Sequence, residues 1–101
     1  MGLLDFFLKN KEEDIKGFLN KGAVIIDVRT KVEYSQGAIT GSKNIPLQII
    51  DSKIDDIKKL NKPIITCCAS GMRSGNAASI LKRHNIEVIN GGGWASLKTK
   101  L

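Results

Sequence analysis

The chain has 101 residues, 42% of them hydrophobic and 26% charged, with a formal net charge of +6, which is the size and balance of one globular domain around one core. No apolar run approaches the roughly 18 residues of a membrane span, and the lysines are scattered without interleaved aromatics, so neither a membrane nor nucleic acid is expected as a partner. The two cysteines, Cys67 and Cys68, are adjacent and there is one histidine, His84, which excludes a disulfide framework and falls short of a four-ligand zinc set; neither metal nor cofactor is expected.

At the start, Leu3, Leu4, Phe6, Phe7 and Leu8 form a short apolar stretch broken by Asp5. It has no basic residues before it and no small-residue cleavage site after it, so no secretory leader is read and a cytoplasmic location is expected. Residues 1–11 are an N-terminal extension or edge element, and the Phe6-Phe7 segment fits an edge strand, a docked helix or a partner-binding patch equally well. From Glu12 to Asn20, Ile15, Phe18 and Leu19 recur at helical spacing and Lys21-Gly22 stops the helix. Ala23 to Asp27 is a continuous apolar run of the kind found in a strand buried on both faces, and it ends in the charged Asp27-Val28-Arg29.

Thr30 is placed to cap a short helical turn running to Tyr34, with Glu33 completing a capping box, before Gly37 breaks the chain. Asn44-Ile45-Pro46-Leu47 reads as an edge strand, where proline is tolerated. Ile50, Ile54, Ile57 and Leu60 share one helical stripe that Pro63 ends. Ile64 to Cys67 is a second buried strand. Beyond it Ser74 is expected to cap a helix whose apolar side is Ala77, Ala78, Ile80 and Leu81, with His84 near its carboxyl end. Glu87-Val88-Ile89 reads as a last strand and Gly91-Gly92-Gly93 as a turn before Trp94, itself a lid or packing residue. The alternation predicts a three-layer α/β domain with a mainly parallel sheet of four to five strands and helices on both faces. Ligands of such sheets bind beyond the carboxyl ends of the strands.

That is where Cys68 falls, at the head of the loop Cys68-Ala69-Ser70-Gly71-Met72-Arg73. Amides of a short loop converging on a point, with the positive end of a helix dipole behind them, favour an anion. A cysteine in such a place has its pKa lowered from about 8.5 towards roughly 3.5–7.5, which gives a nucleophile at neutral pH without a partner histidine. Gly71 supplies the backbone freedom the loop needs to close. Cys67, ending the buried strand, is read as core, with a role as a resolving thiol as the alternative. A vicinal disulfide is too strained to be a resting state.

The segment Cys68-Ala69-Ser70-Gly71-Met72-Arg73-Ser74 resembles the active-site signature of the rhodanese family: cysteine, two residues, glycine, one residue, arginine, serine. Ile26-Asp27-Val28-Arg29-Thr30, Glu33-Tyr34, Gly37 to Gly41, Asn44 to Leu47 and Asn90 to Trp94 follow that family's order, so the likeness covers nearly the whole chain. The resemblance implies a sulfurtransferase that carries sulfur as a persulfide on Cys68. Sulfur comes from thiosulfate or a persulfide donor and passes to cyanide, a thiol or a protein acceptor. It further implies that Ala69, Ser70, Gly71, Met72 and Arg73 bind the substrate, with Arg73 attracting an anionic donor. Asp27, Arg29 and Ser74 support the loop, and a monomer is expected.

Related cell-cycle phosphatases have a loop one residue longer, so the six positions from Cys68 to Arg73 favour sulfur over phosphate or arsenate. Two positions depart from the pattern: Ala38 stands where the family usually has a mostly structural histidine, and Ala69 where a basic residue often follows the cysteine. Thiosulfate is therefore a weaker expectation than persulfide chemistry in general. The competing reading is a catalytically weak rhodanese-like binding or regulatory module.

Overall fold

The computed structural model describes residues 3–101, with residues 3–10 described by their backbone alone. The elements run α1 (Leu3–Asn20), β1 (Val24–Asp27), α2 (Lys31–Ser35), β2 (Lys43–Asn44), a 3₁₀ segment (Leu47–Lys53), α3 (Ile54–Leu60), β3 (Ile64–Cys68), α4 (Met72–Arg83), β4 (Val88–Gly93) and α5 (Trp94–Lys98). The four strands form one sheet in the order β2-β1-β3-β4, every pairing parallel. β1 and β3 are rich in isoleucine because an interior strand, covered on both faces, has no polar side to present.

Successive residues of a strand point to opposite faces, and the core divides accordingly. Ile26, Ile64 and Cys68 face α3, α4 and the 3₁₀ segment, packing with Ile50, Ile54, Ile57, Ala77, Ala78 and Leu81. On the other face Ile25, Ile65 and Cys67 meet Ile15 of α1 and Leu97 of α5. Each isoleucine buried in this way contributes roughly 1.5–3 kcal/mol of transfer free energy. Helices therefore cover both faces, as the sequence predicts. Among the described residues no helix is long and apolar enough to cross a membrane.

Several local expectations are corrected. The first helix begins at Leu3 rather than Glu12, so the backbone of residues 3–11 belongs to α1 and is no edge strand, while Met1 and Gly2 lie outside the described residues. The edge strand is the pair Lys43–Asn44, ahead of Pro46, because beyond it the backbone turns under Val28, whose carbonyl accepts the Leu47 amide at 3.1 Å. The stripe from Ile50 to Leu60 is split between the 3₁₀ segment and α3. Ser74 is not the cap of α4; Gly71 is, at φ 104°, a left-handed conformation that glycine adopts without strain. The Gly91-Gly92-Gly93 stretch is not a free turn but the end of β4, with Gly93 paired to Cys68 across a register shift.

Candidate active site

The carboxyl ends of β1, β3 and β4 meet at one edge of the sheet, and Cys68 is the last residue of the central strand β3. Gly71 as N-cap starts α4 three residues beyond Cys68, so the loop folds over the sulfur and the Gly71 amide donates to Cys68 Sγ at 3.0 Å. The Ser74 hydroxyl lies 3.4 Å from the same sulfur. Burial alone raises the pKa of Cys68, but the Ser74 hydroxyl and the amides of Ser74, Gly71 and Ser70 outweigh it, and the thiol is lowered from its ordinary value. These groups all favour the charged form, and the helix dipole of α4 acts in the same direction.

Cys67 is the opposite case. It points to the other face of the sheet, fully buried, and burial together with the Asp27 charge pushes its thiol up to about 12. The two sulfurs lie on opposite sides of one strand, so a bridge between them requires β3 to come apart.

The supporting charges form two pairs. Asp27 and Arg29, at the end of β1, are bound side by side: Arg29 Nε and Nη2 donate to the Asp27 carboxylate at 3.0 and 2.8 Å, and both side chains are buried, 1% and 5% exposed. The remaining Arg29 donors reach the carbonyls of Gly37 at 2.7 Å and Glu33 at 3.3 Å, and its guanidinium lies 4.6 Å from the centroid of the Trp94 ring. Trp94 therefore packs over this pair, as a packing residue rather than a cover for the cysteine.

In the second pair Arg73 of the loop donates through Nη1 and Nη2 to the two carboxylate oxygens of Glu33 at 2.7 and 2.9 Å. Glu33 also accepts from the amide and hydroxyl of Thr30 in the expected capping box. The Arg73 hydrogen bonds, foremost, and that cap hold the Glu33 carboxyl at about 2. The sequence assigns Glu33 to a capping box and Arg73 to donor attraction and loop stabilisation, without naming either as the other's partner. Their pairing is a contact between α2 and α4 that no local pattern announces.

A second residue that the sequence left in a glycine turn is Asn90. Its Nδ2 donates to the Gly71 carbonyl at 3.0 Å, while its Oδ1 accepts from the Gly92 amide at 2.9 Å and lies 2.7 Å from Ser74 Oγ. The adjoining glycines are there for close approach. A Cβ on Gly93 would lie 2.8 Å from the Ala69 carbonyl oxygen, and one on Gly91 would lie 2.7 Å from Ile65 Cγ2. The loop thus rests on β4 backbone with no side chain between. Of the residues expected at the site, Cys68, Gly71, Arg73, Ser74, Asp27 and Arg29 come together through these contacts, while Ala69, Ser70 and Met72 form the exposed outer side of the loop.

Comparison with known proteins places this arrangement. Residues 11–99 match the family model of the Rhodanese-like domain. The uncharacterized protein YqhL of Bacillus subtilis is 36% identical over 73 residues, covering 72% of this chain and 56% of that protein. A putative mitochondrial thiosulfate sulfurtransferase of Schizosaccharomyces pombe is 30% identical over 96 residues, 81% of this chain and 68% of that protein. Among solved structures, the reduced CoADR-RHD protein of Bacillus anthracis superposes with a TM-score of 0.72 at 32% identity, covering 88% of this chain and 16% of that one. A rhodanese with anions from E. coli gives 0.66 at 32% identity, with 72% and 88% covered. The chain thus spans about half of the B. subtilis protein and a small part of the B. anthracis one, and sulfurtransferase is the recurrent name among its relatives. A match over residues 11–99, on a fold shared with these structures, makes the chain a member of the rhodanese-like domain family.

Proposed function

We propose that the protein is a sulfurtransferase that carries sulfane sulfur as a persulfide on Cys68. The observation that supports this most is the sulfur itself: Cys68 Sγ takes the Gly71 amide at 3.0 Å at the head of α4, and its thiol is lowered although it is buried. A thiolate is the nucleophile of sulfur exchange, and its fraction at neutral pH is one factor in the rate of the first step.

In that step the Cys68 thiolate attacks the outer sulfur of the donor. The new S–S bond forms as the donor's own S–S bond breaks, and the electron pair leaves with sulfite from thiosulfate or with a thiolate from a persulfide. In the second step cyanide or an acceptor thiolate attacks the outer persulfide sulfur, and the electron pair returns to Cys68 Sγ. Loop amides hold the outer sulfur between steps. Cys68 is fully buried beneath the loop, whose exposed outer side is formed by Ala69 and Ser70.

Arg73 reaches the site with its charge matched by Glu33, which leaves the backbone amides as the main anion-binding groups. A persulfide donor, needing less positive charge than the dianion thiosulfate, suits that site better. The test is to follow thiocyanate formation from cyanide with thiosulfate and with glutathione persulfide, beside hydrolysis of an aryl phosphate. Turnover with a sulfur donor and none of the phosphate is the expected result. Phosphate hydrolysis without sulfur transfer, or no reaction at all, overturns the reading, and the second outcome points to a binding module.

A further inference from the structure

Ser74 Oγ has two partners and one proton. It lies 2.7 Å from Asn90 Oδ1 and 3.4 Å from Cys68 Sγ. The orientation of the Asn90 amide is fixed by its other neighbours: the Gly92 N–H can only donate and the Gly71 carbonyl can only accept, so Oδ1 faces Gly92 and Ser74. Asn90 Oδ1 is therefore an acceptor, and it competes with the sulfur for the Ser74 proton. An oxygen acceptor at 2.7 Å outcompetes a neutral thiol, a weak acceptor, whereas a thiolate makes a charge-assisted bond and outcompetes a neutral amide oxygen. Asn90 Oδ1 retains the Gly92 N–H in either case, so no buried polar atom is orphaned when the hydroxyl turns away.

We propose that Asn90 is a positioning residue for the Ser74 hydroxyl, holding its proton while Cys68 is a thiol or persulfide and yielding it when the sulfur becomes a thiolate. The inference rests on the sulfurtransferase reading for its catalytic meaning. In the second step the electron pair arrives on Cys68 Sγ as the S–S bond breaks, and the Ser74 hydroxyl turns to that sulfur at the same moment. No proton leaves Ser74; only its hydrogen bond changes acceptor.

The charged and titratable groups around Cys68 are few. Arg73 of α4 acts on it, paired with Glu33 of α2, and Cys67 of β3 lies beside it. From β1 the Asp27–Arg29 pair presents no net charge. The β4 residues against the loop are Asn90 and glycines, and the 3₁₀ segment presents Ile50.

The experiment is a thiolate titration by ultraviolet absorbance, with no sulfur donor present, on wild type, Asn90→Ala, Ser74→Ala and the double variant. With Asn90 gone the Ser74 proton has no rival for the thiolate, so Asn90→Ala lowers the Cys68 pKa by about 0.5–1 pH unit in the Ser74 background. In the Ser74→Ala background the same change produces no shift. A purely structural Asn90 shifts both backgrounds alike, and that result overturns the proposal. A second measurement avoids altering Asn90: the Gly92 amide proton, left as sole donor to Oδ1 on thiolate formation, moves downfield with the Cys68 titration. Ser74→Ala abolishes that movement while Cys68 still titrates; persistence in Ser74→Ala overturns the proposal. Neither titration uses a donor, so absence of sulfur transfer and absence of the Ser74 hydroxyl's change of acceptor are read separately.

Discussion

Arg73 and Glu33, 40 positions apart in the chain, meet through two parallel bonds of 2.7 and 2.9 Å. The pair fastens the active-site loop to α2, which is itself tied through the Glu33 carbonyl to Arg29 and so to the end of β1. The loop's arginine is thus held in place by the pair. It serves as a structural strut and only weakly as a free positive charge.

The strut makes stability depend on acid. Glu33 is held at about 2 against an ordinary value of 4.5. A lowered carboxylate contributes in full above the unfolded value and loses its contribution as pH falls towards the folded one. Urea unfolding between pH 5 and pH 2, an interval bracketing these two values, is expected to show a steeper loss for wild type than for Glu33→Gln. Superimposable pH profiles contradict the strut.

Asp27 and Arg29 form a buried pair, and breaking one side leaves an uncompensated charge. Asp27→Asn or Arg29→Met is expected to cost about 3–5 kcal/mol in denaturant unfolding. Asp27→Asn combined with Arg29→Met costs less than the sum of the two single changes, because no lone charge remains. A double-variant cost equal to the sum of the two single costs shows that the residues act independently and that the pair is not the interaction being lost.

Cys67 gives the alkaline counterpart. Its thiol is raised from 9.0 to about 12, so the unfolded chain ionises first and stability falls as pH rises from 9 towards 12. Replacing it by alanine flattens that part of the curve and, since the residue faces away from the loop, leaves sulfur transfer within about threefold. A large loss of transfer assigns Cys67 a part in the chemistry.

The glycines under the loop are separable from those that merely sit in helices. Gly91→Ala and Gly93→Ala place a Cβ within 2.9 Å of backbone or core atoms and are expected to destabilise and to lower transfer by displacing the loop, whereas Gly17, with nothing within 4 Å, tolerates the change. Being inside α1, Gly17→Ala is expected to stabilise by about 0.5–1 kcal/mol. Thermal unfolding of the three variants checks the order.

What the sequence made legible was whatever is local. β1 and β3 are found within a residue of the expected runs, the capping box at Thr30 forms, and the six positions from Cys68 to Arg73 form the loop at a strand's carboxyl end. What it hid is long-range. Nothing near Glu33 signals that its carboxylate is shared with a loop 40 residues away. Asn90 and its glycines read as a turn because their composition is that of a turn. In the fold the same residues let a strand run beneath the loop at van der Waals distance, a requirement set by Ile65, Thr66 and Ala69. Ser74 departs from the expected cap position for a related reason: Gly71, in its left-handed conformation, starts the helix three residues early and turns the serine inward onto the sulfur.

The central claim is that sulfur is held covalently on Cys68, and the mass of the intact protein measures this most directly. After exposure to glutathione persulfide or thiosulfate, wild type and Cys67→Ala are expected to gain the mass of one sulfur atom and to lose it on addition of cyanide, while Cys68→Ser gains nothing. Sulfur retained by Cys68→Ser, or no gain by wild type with either donor, contradicts the account.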